Sequence, residues 1–403
     1  MKILMVNRVL YRRSAAESEM FRLAEALQSM GHQISFFALD DPRNPPLQDA
    51  YVIKHPPMSN GQRLRASLFD HGAREHMLKR VLKDRPDLAL VWQVNRTLSY
   101  SVVDALASAD VPVWVMLTDF TPLCPVQTLT HDGNECRKCM VYRNALPCFL
   151  HRCDSDRWGK SFATALEAQW MRIRKLWNLP NGYLVPSEYH RLMMERGRFT
   201  RMPIKDVGLC LGSRAFDVPQ TRRGEYFLYI GNLELRKGIV TLLDALRQCV
   251  TDLPLLVVGD GPEMARLKQI TKELGLQDRV NFTGQIGSEP LRRAMAGALC
   301  LVVPSECEEI APWMLLEAQA MGKPAIVSDR SVLPERVSAG KSGFVFRRHS
   351  SPELAQCLDA MAELSDEDYL RMCECAQQTA FEHYTPEAFA KRVLKAVGAV
   401  ENS

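Results

Sequence analysis

Short apolar runs that end in Gly, Pro or Asn alternate along this chain with longer segments whose apolar residues recur at helical spacing. That alternation is the sequence form of repeated strand-helix units and a parallel sheet, and it appears twice. In the first half the strand KILMVN precedes a helical pattern over residues 19–30, a stop at Gly31 and the strand QISFFAL. Further strands are expected at 88–92, 113–117 and 182–185. In the second half strands are expected at 226–230, 254–258, 280–283, 299–303 and 325–327, with helices between them. The expected fold class is α/β, with two doubly wound Rossmann-like domains facing a central cleft. The first domain is read as residues 1–209, with a Cys-rich insert at 124–153. Residues 210–224, which include Gly212, Pro219, Arg222 and Arg223, lack periodicity and are read as the linker. The second domain is 225–385, and 386–403 is an amphipathic helix expected to cross back to the first.

Composition agrees with that organisation. With 403 residues, 46% hydrophobic and 24% charged, the chain can bury two cores of ordinary size. No apolar run approaches the ~20 residues a membrane span needs, and MKILMVN reads as a strand rather than an export signal. A cytoplasmic protein with reduced thiols is therefore expected, despite twelve cysteines. The net charge of +4 is divided as +9 through Arg214 and −5 beyond it, so the two halves face different electrostatic partners.

Three segments carry candidate chemistry, each directly after a strand, where open α/β sheets hold their ligands. In YIGNLELRKG, Gly231 turns the chain and a helix follows Gly238, aiming backbone N–H groups, Lys237 and Arg236 at a site suited to a diphosphate. A surface lysine after a plain turn is the simpler alternative. In LLVVGDGPE, Gly259 and Gly261 permit close backbone approach to a nucleotide, although a tight turn would use them equally well. The third is PSECEEIAPWMLLEAQAMGKPAIVS. A loop there holds Glu309 and Pro312, and the helix that follows carries Glu317. Glu306 and Glu308 are read as solvated.

The ordered set Gly231, Lys237-Gly238, Gly259-Asp260-Gly261, Gly284 and Glu309-x7-Glu317-Ala318 resembles glycosyltransferase family four. Gly31-His32 and Val185-Pro186-Ser187 match as well, so the resemblance covers nearly the whole chain. It implies the GT-B fold and a retaining transfer from a nucleotide-diphosphate sugar, with no metal needed for the chemistry. By the same resemblance Lys237 binds the donor phosphates, Glu317 the ribose hydroxyls, and the region from Gly284 to Ile286 the base. Glu309 lies beside the transferred sugar, with the backbone at Ile310, Ala311 and Pro312 contacting its hydroxyls. Fixed cationic and amide donors would stabilise the charge that grows on the departing diphosphate. The chain departs from the family at Ser14-Ala15-Ala16-Glu17, where two glycines are usual, at Asn232, where Arg is common, and at Thr118, where His often precedes the Asp that is Asp119 here. A ligand role and a loop-capping role for Asp119 are equally open. The departures keep a second reading alive, a nucleotide-sugar-binding module without transferase activity.

Two features belong to the acceptor half. Cys136-x2-Cys139-x8-Cys148-x4-Cys153, with Cys124, His131 and His151 nearby in sequence, has spacings that can converge on one tetrahedral zinc. A loop of free thiols packed as small hydrophobes is the alternative. Residues 60–85 mix Leu64, Leu68, Met77, Leu78, Val81 and Leu82 with seven Lys and Arg. Such a basic amphipathic segment suits an anionic membrane surface on the cytoplasmic side and a lipid-linked or glycan acceptor, and a solvated helix packed by its apolar stripe is the alternative. No nucleic-acid-binding motif accompanies the charge.

Overall fold

The computed structural model describes residues 1–47, 49–55, 57–95, 98–132, 134–217 and 222–399. The chain forms two compact units, one of residues 1–210 with the chain from Pro386 onward, the other of residues 211–385. Of the expected linker, residues 218–221 lie outside the described residues, as do 400–403 of the expected last segment.

The N-terminal unit runs β1 (Lys2–Val6), α1 (Ala15–Ser29), β2 (Gln33–Leu39), β3 (Ala50–Ile53), α2 (Asn60–Leu68), α3 (His71–Asp84), β4 (Leu88–Val91), α4 (Ser101–Ser108) and β5 (Val113–Met116). The insert follows as β6 (Thr130–His131), β7 (Asn134–Glu135), α5 (Lys138–Val141), α6 (Leu146–Leu150) and α7 (Trp158–Ile173). It leads to β8 (Gly182–Val185), α8 (Glu188–Gly197) and β9 (Ile204–Asp206). Seven of these strands form one parallel sheet in the order β3-β2-β1-β4-β5-β8-β9, and β6 pairs only with β7. Strands β4, β5 and β8 are buried along their whole length. That is why each reads as an unbroken apolar run rather than an alternation.

The C-terminal unit runs β10 (Phe227–Ile230), α9 (Ile239–Gln248), β11 (Leu255–Val258), α10 (Met264–Glu273), β12 (Val280–Gly284), α11 (Ser288–Gly297) and β13 (Cys300–Val303). It continues through α12 (Trp313–Ala320), β14 (Ala325–Ser328), α13 (Leu333–Arg336), β15 (Gly343–Phe346), α14 (Ser351–Glu363) and α15 (Asp366–His383). Its parallel sheet has the order β12-β11-β10-β13-β14-β15. Both sheets therefore reverse their strand order once, between β1 and β4 and between β10 and β13, and such reversals open a crevice beyond the strand ends. The last helix, α16 (Pro386–Ala396), returns to the N-terminal unit. It buries Phe389, Val393 and Leu394 in one cluster with Met20, Leu23 and Leu27 of α1. Each large apolar side chain so buried contributes about 1.5–3 kcal/mol.

Two expectations change. Helix α1 starts at Ala15, not residue 19, with Ser14 as its N-cap position and the Ser14 hydroxyl bonded to the Glu17 carboxylate. That loop is thus closed on its own side chains. Helix α3 turns Ala73, Met77 and Val81 inward and packs against α4, so that part of the apolar stripe expected to face lipid is covered, while Leu82 stays exposed. Its Arg74 bonds Asp104 at 2.6 Å, and Lys79 bonds Glu75 at 2.7 Å. No helix among the described residues is long and apolar enough to cross a membrane.

Candidate active site

The reversal in the C-terminal unit is built from the segments after β10 and β13. After β10 a single 3-10 turn, Leu235–Lys237, ends at Gly238, whose φ of 71° opens α9. A Cβ on Gly238 would sit 1.8 Å from the Pro304 carbonyl oxygen, so only glycine lets the two segments meet here. The Glu306 N–H donates to the Arg236 carbonyl at 2.9 Å and locks the second segment onto the first. Lys237 Nζ then lies 2.6 Å from Glu309 Oε1, although 72 residues separate them in sequence.

Glu309 is held from several sides. Ser305 Oγ donates to the same Oε1 at 2.7 Å, Cys307 Sγ lies 3.8 Å from it, and the Glu309 N–H donates to Ser331 Oγ at 2.9 Å. No hydrogen bond to the second carboxylate oxygen comes from the described residues, so one oxygen is committed and the other is free for a ligand. Burial alone would raise the Glu309 pKa. The Lys237 charge and the hydrogen bonds from Lys237 and Ser305 outweigh it and hold the carboxyl below its ordinary value. The same pairing overcomes burial at Lys237 and raises its pKa. Both groups are charged, and both are mostly covered, at 22% and 17% side-chain exposure.

The neighbouring acids are not solvated, contrary to the sequence reading. Glu308 is 1% exposed and bonds Arg330 at 2.6 Å, while Glu306 accepts from Thr241 Oγ1 at 2.7 Å and lies 3.1 Å from His349 Nδ1. Buried carboxylates keep their charge only with partners of this kind. Ile310 and Ala311 are half-buried and lead into Pro312, which occupies the N-cap position of α12. Their N–H groups have no hydrogen-bond partner among the described residues, so two donors remain at the start of that helix. Glu317 lies in the second turn of the same helix and is half-buried.

The glycine loops lie beside this constellation. The Gly231 N–H donates to the Val258 carbonyl and the Gly259 N–H to the Gly284 carbonyl, each at 3.0 Å, so the ends of β10, β11 and β12 are tied side by side. A Cβ on Gly259 would lie 1.9 Å from the Gly231 oxygen, and one on Gly261 2.5 Å from the Leu233 oxygen. Packing of the neighbouring loop therefore requires both glycines, whatever else they admit. Asn232 is exposed, and its carbonyl accepts from Tyr229 Oη at 3.0 Å. Ile286 packs against the apolar cluster under β13 and α12. Sequence reading missed Arg330 and Ser331, although both follow the strand β14 and the strand-end rule could have found them.

In the N-terminal unit the reversal opens on a cavity of about 340 Å³. Arg8 and Arg13 line it from the segment after β1, Trp92 and Asn95 from that after β4, and Thr118 and Asp119 from that after β5. Asp119 Oδ1 accepts from the Thr121 N–H at 2.8 Å, which is a turn-capping bond. Its carbonyl accepts from Nε2 of His190, and burial pushes that imidazole down to about 3, so it is neutral. Trp92 Nε1, Tyr100 Oη and Thr121 Oγ1, carried by residues of the cavity wall, have no hydrogen-bond partner among the described residues.

The structure does not support the zinc expectation. Among the described residues no group of three or more His, Cys, Asp or Glu is arranged to hold a metal ion. Cys136, Cys139, Cys148 and Cys153 do line one small cavity of about 10 Å³ together with Cys124. However, Cys139 and Cys148 pack with Ala145 and Ala165 as hydrophobes. Burial, with repulsion from the neighbouring thiols, pushes Cys139 up to about 12 and Cys148 higher, so both are neutral thiols as they stand.

Residues 215–396 match the family described as "Glycosyl transferases group 1". Alpha-D-kanosaminyltransferase of Streptomyces kanamyceticus is 28% identical over 174 residues, 42% of this chain and 42% of that protein. N-acetyl-alpha-D-glucosaminyl L-malate synthase of Bacillus anthracis is 31% identical over 163 residues, 40% of this chain and 42% of that protein. The chain thus aligns with less than half the length of these curated relatives. Among solved structures, sucrose-phosphate synthase from Thermosynechococcus elongatus superposes with a TM-score of 0.67 at 16% identity, covering 99% of this chain and 98% of that one. The Anabaena protein HepE in complex with UDP gives a TM-score of 0.68 at 16% identity, covering 99% and 100%. The chain has the fold of these two-domain GT-B glycosyltransferases, two Rossmann-like α/β domains, and its residues 215–396 carry the pattern of the group 1 glycosyl transferases.

Proposed function

We propose that the protein is a retaining glycosyltransferase that moves a sugar from a nucleotide-diphosphate sugar to a glycan or lipid-linked acceptor, in surface polysaccharide or glycoconjugate synthesis. The observation that carries this reading is the Lys237–Glu309 pair at 2.6 Å, placed where the strand order of the C-terminal sheet reverses. An ammonium has three donor positions, and Glu309 takes one, so two remain for diphosphate oxygens. Arg236 adds a second cation one residue away. As the bond from the anomeric carbon to the diphosphate breaks, charge grows on the leaving oxygen and these fixed groups stabilise it without reorganising. The free oxygen of Glu309 and the N–H groups of Ile310 and Ala311 are placed to bind sugar hydroxyls, and Glu317 to hold the ribose. HepE binds UDP, and a uracil nucleotide is the first donor to test here.

The N-terminal cavity, with Arg8, Arg13 and Asp119, is the proposed acceptor side. Retention would follow a front-face route, with Glu309 positioning the sugar rather than attacking it. The experiment is donor turnover, with product anomeric configuration read by NMR, in the wild type, Lys237→Ala and Glu309→Ala. Lys237→Ala should mainly weaken donor binding and Glu309→Ala mainly lower the rate. Turnover that survives both changes would sink the assignment. A second reading, a binding module without transfer, is favoured by the Ser14–Glu17 bond that closes the first loop. Donor binding with no sugar transfer to any acceptor would favour it.

A further inference from the structure

The part of the insert from residue 137 through the end of α7 to residue 175 lines neither strand-order reversal, and its surface differs from the rest of the protein. Of the fifteen exposed large apolar side chains among the described residues, seven lie between residues 141 and 173. On α6, Leu146 and Leu150 stand one turn apart and are 58% and 56% exposed; on α7, Trp158 and Phe162 stand one turn apart at 53% and 50%. Phe149 joins the two helices, its ring centroid 5.2 Å from that of Trp158 and 5.8 Å from that of Phe162. Scattered apolar residues on a surface are ordinary, but a concentration of this kind marks an interaction face.

The charge around it is predominantly positive. Residues 137–175 hold nine Lys and Arg against three Asp and Glu, which is most of the +9 excess of the first 214 residues. Where α7 and α8 end, Arg143, Arg172, Lys175, Arg198 and Arg201 line a cavity of about 660 Å³ that has no acidic residue in its wall. The two helix ends supply roughly −0.5 of a charge each, far too little to neutralise five cations. Three of the five, Arg143, Lys175 and Arg198, adopt φ of 53°, 53° and 45°. That left-handed conformation is uncommon at a residue with a side chain. Arg143 is further tied in place by donating to the Arg198 carbonyl at 3.1 Å.

We infer that this face docks on an anionic phospholipid bilayer, the cavity taking headgroup phosphates while the apolar side chains of α6 and α7 enter the interface. Basic residues flanking exposed aromatic and aliphatic ones are what such a surface binds. The apolar half of the face is what a nucleic acid would leave unused. The inference rests on the reading of a lipid-linked acceptor and moves the membrane face from α3, whose stripe is partly covered, to the insert.

The test is co-sedimentation of the full chain with vesicles of phosphatidylcholine alone and with phosphatidylglycerol added, without any sugar donor, so that it stands apart from the transferase assay. At low salt, binding to the anionic vesicles should exceed binding to the neutral ones at least tenfold and should weaken as salt screens the charges. Arg143→Glu with Arg201→Glu should lower it tenfold or more, and Trp158→Ser with Phe162→Ser should do the same, each pair keeping the wild-type melting temperature. Lys79→Glu with Lys83→Glu on α3 makes the same change in net charge and should alter binding less than twofold. Equal loss in the α3 pair would reduce the effect to net charge and overturn the inference. So would failure to bind anionic vesicles, capture by single-stranded oligonucleotide instead, or a melting shift with glycerol phosphate when vesicles are ignored.

Discussion

At the strand-order reversal of the C-terminal unit Lys237 and Glu309 already hold each other at 2.6 Å, whereas the same reversal in the N-terminal unit opens on a cavity of about 340 Å³. One sheet plan thus gives two kinds of site. The first is preset, with Ser305, Ser331 and Arg236 fixing each charge before a ligand arrives. The second leaves Trp92 Nε1, Tyr100 Oη and Thr121 Oγ1 without a partner among the described residues. A preset site suits a group common to many donors, such as a diphosphate. A site with unspent polar groups suits the partner that differs from one enzyme to the next.

The strongest way to break that contrast is Lys237→Ala, which strands a buried carboxylate. It should cost about 3 kcal/mol in denaturant unfolding and weaken nucleotide-diphosphate binding about 100-fold by calorimetry. Adding Glu309→Ala should restore part of the stability but none of the affinity, and equal stability in the single and double variants would show that the pair is not coupled.

Acidity separates the units next. His190 is neutral when folded, with its pKa pushed down to about 3, but takes a proton near its ordinary 6.5 once unfolded. The unfolded N-terminal unit then binds more protons, so its stability should fall by about 1.4 kcal/mol per pH unit as pH drops below 6.5. His190→Gln should flatten that slope. Glu19 acts in the opposite sense. Burial raises it to about 8, so the stability it contributes is full below 4.5 and is lost as pH rises through 8, and Glu19→Gln should stabilise the protein at alkaline pH. The Lys237–Glu309 pair, with the lysine raised and the carboxyl lowered, should hold the C-terminal unit level between those limits.

A smaller effect is expected at Arg8, which lines the N-terminal cavity and makes no ion pair among the described residues. Arg8→Ala should change stability by less than about 0.5 kcal/mol while raising KM for the acceptor and leaving KM for the donor unchanged. The smallest is none: a chelator should not move the melting temperature, and stoichiometric zinc in the purified protein would reverse the reading of the thiols.

Much of both sheets was legible because strands buried on two faces are written as apolar runs. Strands β3, β9 and β15 were not, since Ala50–Ile53, Ile204–Asp206 and Gly343–Phe346 are short and sit at the sheet edges, where burial leaves little pattern. Lys237 and Glu309 were legible from a motif. That they bond each other was not, because it depends on β13 lying next to β10. Cysteine spacing told which thiols meet around one small cavity, but not whether they are arranged to hold a metal. The insert's outward face was hidden because helical periodicity shows that a stripe exists without saying whether anything covers it.

The return of α16 to the first unit has a consequence for how the protein is made. Phe389 closes the cluster around Met20 and Leu23, so the unit that leaves the ribosome first cannot finish its core until residues 386–396 have been synthesised. The 211–385 unit interrupts the first and has all its own strands in hand by then. During translation the order of completion is therefore reversed, and the N-terminal unit waits, with part of its apolar interior exposed to chaperones, for the final helix to arrive.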